Sequence, residues 1–321
     1  MITPLDEELH EPGSGPHWQE SYYFNWSTDD GRSFGFTRIG IDHHAGTADA
    51  VLVMLRDGEP ELVYAAVGER IPPGLLGTSM AEGLAVADLR YVMIAPLGSW
   101  RIELRGRHHV DLLWETFTPA VDFHEGFPGA MSDVQHHFEQ SGRVTGKVAV
   151  HGRAAEVSGL GQRDKSWGVR DWNGIRGWDW IVGQFGDDLS FNATLTDIDG
   201  VRTPVGYVFD STAADPVGAV RAVDIAYTGD DPHRPQTARI EIRTENGVYV
   251  VTGRAAGRVP LFKRGLFIEE TQFAFECETG GRIRQGQGVV EHAFHVGVAG
   301  VAQRLPRLAR VALRARQDSR R

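Results

Sequence analysis

The sequence predicts an all-β, antiparallel protein that ends in a short amphipathic helix, and three observations lead there. With 321 residues the chain exceeds the roughly 250–300 at which single cores stop growing, which sets a prior of about two domains. Its 39 glycines and 15 prolines are too many for an all-helical protein, because both residues break helix interiors and both mark turns. Short runs of alternating apolar and polar residues recur from Tyr22 to Gly300, without helix-length periodicity between them.

The strand candidates follow in order. They are Ser33 to Ile41, Ala50 to Leu55, Glu61 to Val67, Arg101 to Leu104, Gly146 to Val150, Trp178 to Phe185, Phe191 to Thr196, Arg239 to Arg243, Val248 to Gly253 and Phe267 to Glu276. Many short strands separated by turns indicate a sandwich or barrel rather than a parallel α/β sheet. Asp29-Asp30-Gly31, Arg56-Asp57-Gly58, Asp199-Gly200 and Asn246-Gly247 sit between such runs, where hairpin loops need residues that tolerate positive φ. At the end, Leu305, Leu308, Val311, Ala312 and Ala315 recur at helical spacing with arginines between them. That helix has two readings: a contact with an anionic membrane or a protein partner through Arg304–Arg321, or a terminal helix docked on the body by its apolar face.

Composition narrows the function classes. The single cysteine, Cys277, rules out an intramolecular disulfide and any multi-cysteine metal site, and a reducing compartment is the plain reading. The acidic start MITPLDEELHEP has no apolar signal region, and no run of 18 apolar residues follows, so a cytoplasmic protein is expected. From Gln303 to Arg321 the local charge is +6, which leaves −16 on the rest of a chain whose net charge is −10. Such a body repels nucleic-acid phosphate, so nucleic acid is not expected as a partner.

The densest polar-aromatic stretch runs from Gly159 to Trp180. It holds four of the eight tryptophans with three aspartates and three arginines. Indoles make good pocket walls, and aspartates among them are desolvated unless paired with arginine. If Gln162 to Trp172 is extended, period two puts Asp164, Ser166, Arg170 and Trp172 on one face, with Arg163, Trp167 and Asp171 on the other. Two roles fit these residues: an acid–base site, or a structural clamp of buried ion pairs with tryptophans in the core.

The run GQRDKSWGVRDW, followed by GWDW and a strand ending in DIDG, resembles the central motif of the lipocalin-like superfamily of carotenoid 1,2-hydratases (hydroxyneurosporene synthases) and AttH-like proteins, and most of all a bacterial two-domain branch. EQSGRVTGKVAVHG, ESYYFNW and GQGVVEHAF support the likeness, which spans about residues 18 to 300. The resemblance implies two consecutive lipocalin-like barrels or sandwiches, at residues 1–176 and 177–302, followed by the basic helix at 303–321. It also implies a cavity for an apolar, isoprenoid-like or polycyclic ligand; acid–base chemistry on such a ligand needs no organic cofactor, and no metal is expected from the histidine spacing. In the hydratases an aspartate is thought to protonate an alkene, and Asp164 is the matching acid here. Lys165 departs from the pattern, since histidine is expected there. The site expected on this basis has Asp164, Asp171 and Arg170 as catalytic groups, walled by Trp167, Trp172, Trp178, Trp180 and Tyr23. The indole faces would steady a cation, and burial would keep the acid protonated. The competing classes are a non-catalytic carrier of a hydrophobic molecule and a structural or interaction module.

Weaker signals are set aside. The adjacent pairs His43-His44, His108-His109 and His136-His137 point to opposite faces of a strand and do not chelate one metal. Glu291, His292 and His295 are closely spaced but have no linked second cluster. Asp122, His124 and Glu125 read as a loop or a cavity mouth, and Gly77-Thr78-Ser79-Met80-Ala81 as a loop lacking the context of a nucleophile elbow.

Overall fold

The computed structural model describes every residue except 14, 16, 72–73, 124–134, 170–173, 264 and 320–321. Its first sheet is formed by β1 (Trp18–Thr28), β2 (Ser33–Asp42), β3 (Thr47–Arg56), β4 (Glu59–Arg70), β5 (Leu84–Val86), β6 (Leu89–Ala95), β7 (Ser99–Arg105), β8 (His109–Thr116), β9 (Val121–Asp122), β10 (Gln135–Val150) and β11 (Arg153–Val169). They run antiparallel in the order β4-β3-β2-β1-β11-β10-β8-β7-β6-β5, with β9 paired to β10. The sheet curls around one core, and β4 and β5 remain its edges.

The second sheet is a closed barrel of β12 (Ile175–Gln184), β13 (Leu189–Ile198), β14 (Val201–Asp210), β15 (Val217–Thr228), β16 (Thr237–Thr244), β17 (Gly247–Lys263), β18 (Leu266–Thr279) and β19 (Arg282–Phe294). Each strand pairs with the next, and β19 returns to β12 from Gly177↔Phe294 to Gln184↔Gln287. The predicted all-β, antiparallel architecture with one terminal helix is the one observed.

Period-two alternation builds two kinds of core from the same strands. On β1, Tyr22, Phe24 and Trp26 fill the first sheet, while Tyr23 points out. On β3, Ala50, Leu52 and Met54 point in, and Val51, Val53 and Leu55 point out. The outward set meets Trp178, Trp180 and Val182 of β12 and Val259 of β17, so the barrel faces share an apolar interface. Asp57 and Gly58 adopt φ of 51° and 81° in the β3–β4 turn, where Gly58 has a second use. A Cβ on Gly58 would lie 2.4 Å from the Ala256 carbonyl oxygen, so glycine is what lets this hairpin touch β17.

The lumen of the first sheet is filled from within the chain. A 3₁₀ turn at Pro4–Glu7 carries Glu7 inside, where Arg163 donates to both carboxylate oxygens at 3.0 and 2.7 Å. Leu97 N–H donates to the same carboxylate at 2.8 Å, and Tyr22 Oη donates to the Glu7 carbonyl at 2.8 Å.

Helix α1 (Val298–Asp318) straps the two sheets together. It starts before the expected residue 303, because Val298 to Ala302 carries no charged residue to mark a face and Gly297 caps it in extended conformation. Arg304 and Arg307 pair with Asp231 and Glu269 of the barrel side, while Asp318 accepts Val63 N–H of edge strand β4 at 3.0 Å. Ser319 Oγ accepts Ala65 N–H at 2.9 Å. Val311 and Ala315 enter the interface, but Leu305 stays exposed because Arg304 turns inward in its place. Among the described residues, no helix is long and apolar enough to cross a membrane. Asp318→Ala should free this edge and its donor; we expect about 1–3 kcal/mol less stability on denaturation and faster tryptic cleavage within the helix.

Candidate active site

Register places the polar residues of the interface in two facing rows. On the first sheet, Tyr23 pairs across β1 with Arg38 on one side and Asp164 on the other. On the barrel, Glu270 of β18 lies directly opposite Glu291 of β19, which in turn lies opposite Trp180 of β12. Between these rows is a cavity of about 420 Å³ to which Phe36, Val51, Ile175, Val205, Leu261 and Ile268 contribute apolar walls. All six polar-row residues named above line it, together with Trp178 and Ser166.

Glu270 is the chemically distinctive group. Directly opposed residues on antiparallel strands bring their side chains to about 4.5–5.5 Å, so two acids there repel. Burial pushes the Glu270 carboxyl well above the usual carboxylate range, and the negative charges of Glu291 and Asp164 add to the rise. The Tyr23 hydroxyl donates to Glu270 Oε1 at 2.5 Å and pulls weakly the other way. Glu270 Oε2 is buried and accepts from no donor among the described residues. A neutral Glu270 carboxyl removes one of the two opposed charges. Trp178 Nε1 donates to Glu291 Oε1 at 2.5 Å and fixes the outer carboxylate.

A second buried carboxylate organises the wall. Glu139 accepts from Trp180 Nε1 at 2.8 Å, Gln162 Nε2 at 2.6 Å and Asn192 Nδ2 at 2.7 Å. Its Oε1 also lies 3.1 Å from Nε2 of His137, a cavity residue stacked on Phe123. The Trp180 ring is thereby held edge-on to Tyr23, at 5.6 Å between ring centroids.

The central motif is extended and its alternation is visible. Asp164 and Ser166 face the cavity, whereas Arg163, Lys165 and Trp167 face the first sheet's lumen side. Arg163 lies over the rings of Trp100, Trp114 and Phe138. Lys165, fully buried, pairs with Glu20 and sits 4.1 Å from the Tyr22 ring centroid. Burial pushes the Glu20 carboxyl up, but the Lys165 cation and the hydrogen bond with His10 outweigh it and hold it well below the usual range.

Of the residues expected at the site, Asp164, Tyr23, Trp178 and Trp180 line the cavity. Trp167 does not: it stacks against His10 at 4.3 Å and His136 at 4.9 Å, since an odd-numbered residue of this strand turns away from Asp164. Asp171, Arg170 and Trp172 lie outside the described residues, as do His124 and Glu125. Glu270, Arg38 and Glu139 were not anticipated. Glu291 was noted only beside His292 and His295, and the three separate in space: His292 turns to Asp179, and His295 bonds to the backbone carbonyls of Gly265 and Ile175. Among the described residues, three potential metal ligands converge at His108, His151 and Asp318, where Arg314 already supplies a cation to Asp318 at 2.9 Å.

Comparison with known proteins follows the fold. An AttH-like protein from Nitrosomonas europaea superposes with a TM-score of 0.61 at 16% identity, over 92% of this chain and 97% of the other. Kievitone hydratase from Nectria haematococca gives 0.66 at 14%, over 91% and 93%. CghA with Sch210972 gives 0.63 at 13%, over 92% and 96%. No curated protein matches the chain by sequence. A family match to the domain of unknown function DUF7064 runs over residues 3–296, and the chain therefore belongs to that family, built on the lipocalin-like fold of the AttH-like proteins.

Proposed function

We propose that this protein is an acid–base enzyme of hydratase, isomerase or cyclase type, acting on an apolar isoprenoid-like or polycyclic substrate in the cavity between the two sheets. The observation that carries the reading is the buried Glu270 carboxyl, kept neutral against Glu291 and aimed into an apolar, indole-walled space. A carboxylic acid that is neutral at pH 7 is what protonation of an alkene or a carbonyl requires. In a hydration the Glu270 proton forms a new C–H bond with the π pair, and the faces of Trp178 and Trp180 steady the resulting cation. Water then adds to the cation and returns a proton to a carboxylate. Asp164, flanking Tyr23 on the opposite wall, is suited to that return, with Arg38 beyond Tyr23 on the same face. Arg170 and Asp171, next along the motif, belong to the same proposal. A structural neighbour is named a hydratase, which agrees with this chemistry. No cofactor enters these steps.

The experiment is ligand capture followed by turnover. An apolar fluorescent probe should quench the emission of Trp178 and Trp180, and Trp178→Ala should weaken its binding about tenfold, the equivalent of ~1.4 kcal/mol of lost aromatic contact. Apolar compounds that displace the probe are then tested for conversion. Displacement without conversion of any of them would favour the carrier reading.

A further inference from the structure

The mouth of the barrel holds a chain of polar groups that the cavity chemistry does not use. Asp179 of β12, largely buried, accepts from His292 Nδ1 at 2.6 Å and from Tyr227 Oη at 2.9 Å, both on Oδ1, and from Arg202 at 3.3 Å on Oδ2. His292 Nε2 in turn lies 3.2 Å from His233 Nδ1. With both rings neutral, proton bookkeeping gives one arrangement of tautomers. A carboxylate only accepts, so His292 carries its proton on Nδ1 and presents a lone pair at Nε2. His233 must then donate from Nδ1, which leaves its own Nε2 as a lone pair. That nitrogen bonds to no described residue, and His233 lines a polar cleft of about 570 Å³ beside Arg304 and Gln303. The ring is fixed from below by Phe294, stacked at 3.9 Å with 10° between planes. Burial, the neighbouring His292 and the Arg304 cation hold the His233 imidazole below its ordinary value, against the weaker pull of Asp231 and Glu269.

We propose that Asp179, His292 and His233 form a second, nucleophilic site at the barrel mouth, independent of the cavity, that accepts acyl groups from small activated esters or thioesters. His233 Nε2 attacks the acyl carbon, and the carbonyl π pair moves to oxygen. Collapse of that adduct expels the alkoxide or thiolate. As the N–C bond forms, the Nδ1 proton passes to His292 Nε2, and the new imidazolium sits against Asp179. The product is a neutral acyl-imidazole at His233. Water attacks its carbonyl and gives one proton to the expelled alkoxide or thiolate, the proton on His292 returns to His233 Nδ1, Nε2 leaves with its electron pair, and the carboxylic acid is released. Ester and water become acid and alcohol, with no other reactant.

The test uses the full chain with p-nitrophenyl acetate, following p-nitrophenolate release and locating the acetyl adduct by peptide mass spectrometry. Wild-type protein should show an adduct on His233. His233→Ala, a loop substitution, should remove that adduct and slow release by about tenfold or more, within the range of positioned acid–base groups. Asp179→Asn should slow release by a similar factor while His233 remains in place, with a thermal melt run alongside. The exposed His109→Ala serves as the unaffected control. Release from His233→Ala within about twofold of wild type, or an adduct confined to other histidines, overturns the proposal, as does an Asp179→Asn protein that melts normally and releases at the wild-type rate.

Discussion

Glu270→Gln is expected to lower turnover on the identified substrate by about a hundredfold or more while leaving the protein at least as stable as wild type. The two effects come from one cause. In the unfolded chain a glutamate ionises near pH 4.3, but in the fold this carboxyl is neutral well above that, pushed up by burial and by Glu291. Between those two pH values the native state holds a proton that the unfolded state has lost. Stability therefore falls as pH rises through that window, with a slope of one proton. Glutamine is neutral at every pH and can still accept the Tyr23 hydroxyl, so its introduction should remove the slope. Urea unfolding between pH 5 and 8 reads this directly. A variant that loses both turnover and stability would assign Glu270 a structural role, and one that keeps full turnover would remove it from the mechanism.

Glu7→Ala is expected to cost about 3–5 kcal/mol, a large share of the roughly 5–15 kcal/mol that holds such proteins folded. Arg163 and Glu7 are both buried, with two hydrogen bonds between them. Removing the carboxylate leaves a guanidinium surrounded by Trp100, Trp114 and Phe138 with, among the described residues, only the Gln140 amide oxygen to receive it, at 3.0 Å from Nε. Leu97 N–H loses its acceptor as well. Chemical denaturation measures the loss. A change below about 1 kcal/mol would mean that water or a neighbouring group replaces the carboxylate. Glu7→Gln, which keeps an acceptor oxygen, should fall between the two.

Much of the fold is legible because strands write their burial in period two. The residues around Asp164 show it: the alternation that puts Asp164 with Ser166 and Arg163 with Trp167 needs only the local chain. Applied consistently, it also removes Trp167 from the cavity wall, since that side chain shares the face of Arg163. Glu270 was harder. Nothing local distinguishes it from Glu269, its neighbour in FIEETQF, which turns the other way and pairs with Arg307. Its chemistry arises from the β18–β19 register, which sets it against Glu291, and from the meeting of two sheets, which brings Tyr23 across 247 positions of sequence. The available clue was a strand with two consecutive acids and no turn residue between them. Glu139 was hidden for the same reason, its partners coming from β11, β12 and β13.

The first sheet encloses a plug made of its own N-terminal segment, so the ligand-sized space lies outside both lumens, between two outer surfaces. That arrangement separates what may vary from what must not. Residues that shape the cavity, such as Val51, Ile268 and Thr196, stand on the outward side of strands whose inward neighbours carry the cores. Each wall position can therefore change size or polarity without opening a void in either core, where such a change would cost several kcal/mol. Changes to the cavity wall and changes to the cores then fall on alternate letters of the same strands, a division of labour that lets the lining diversify at small risk to the assembly.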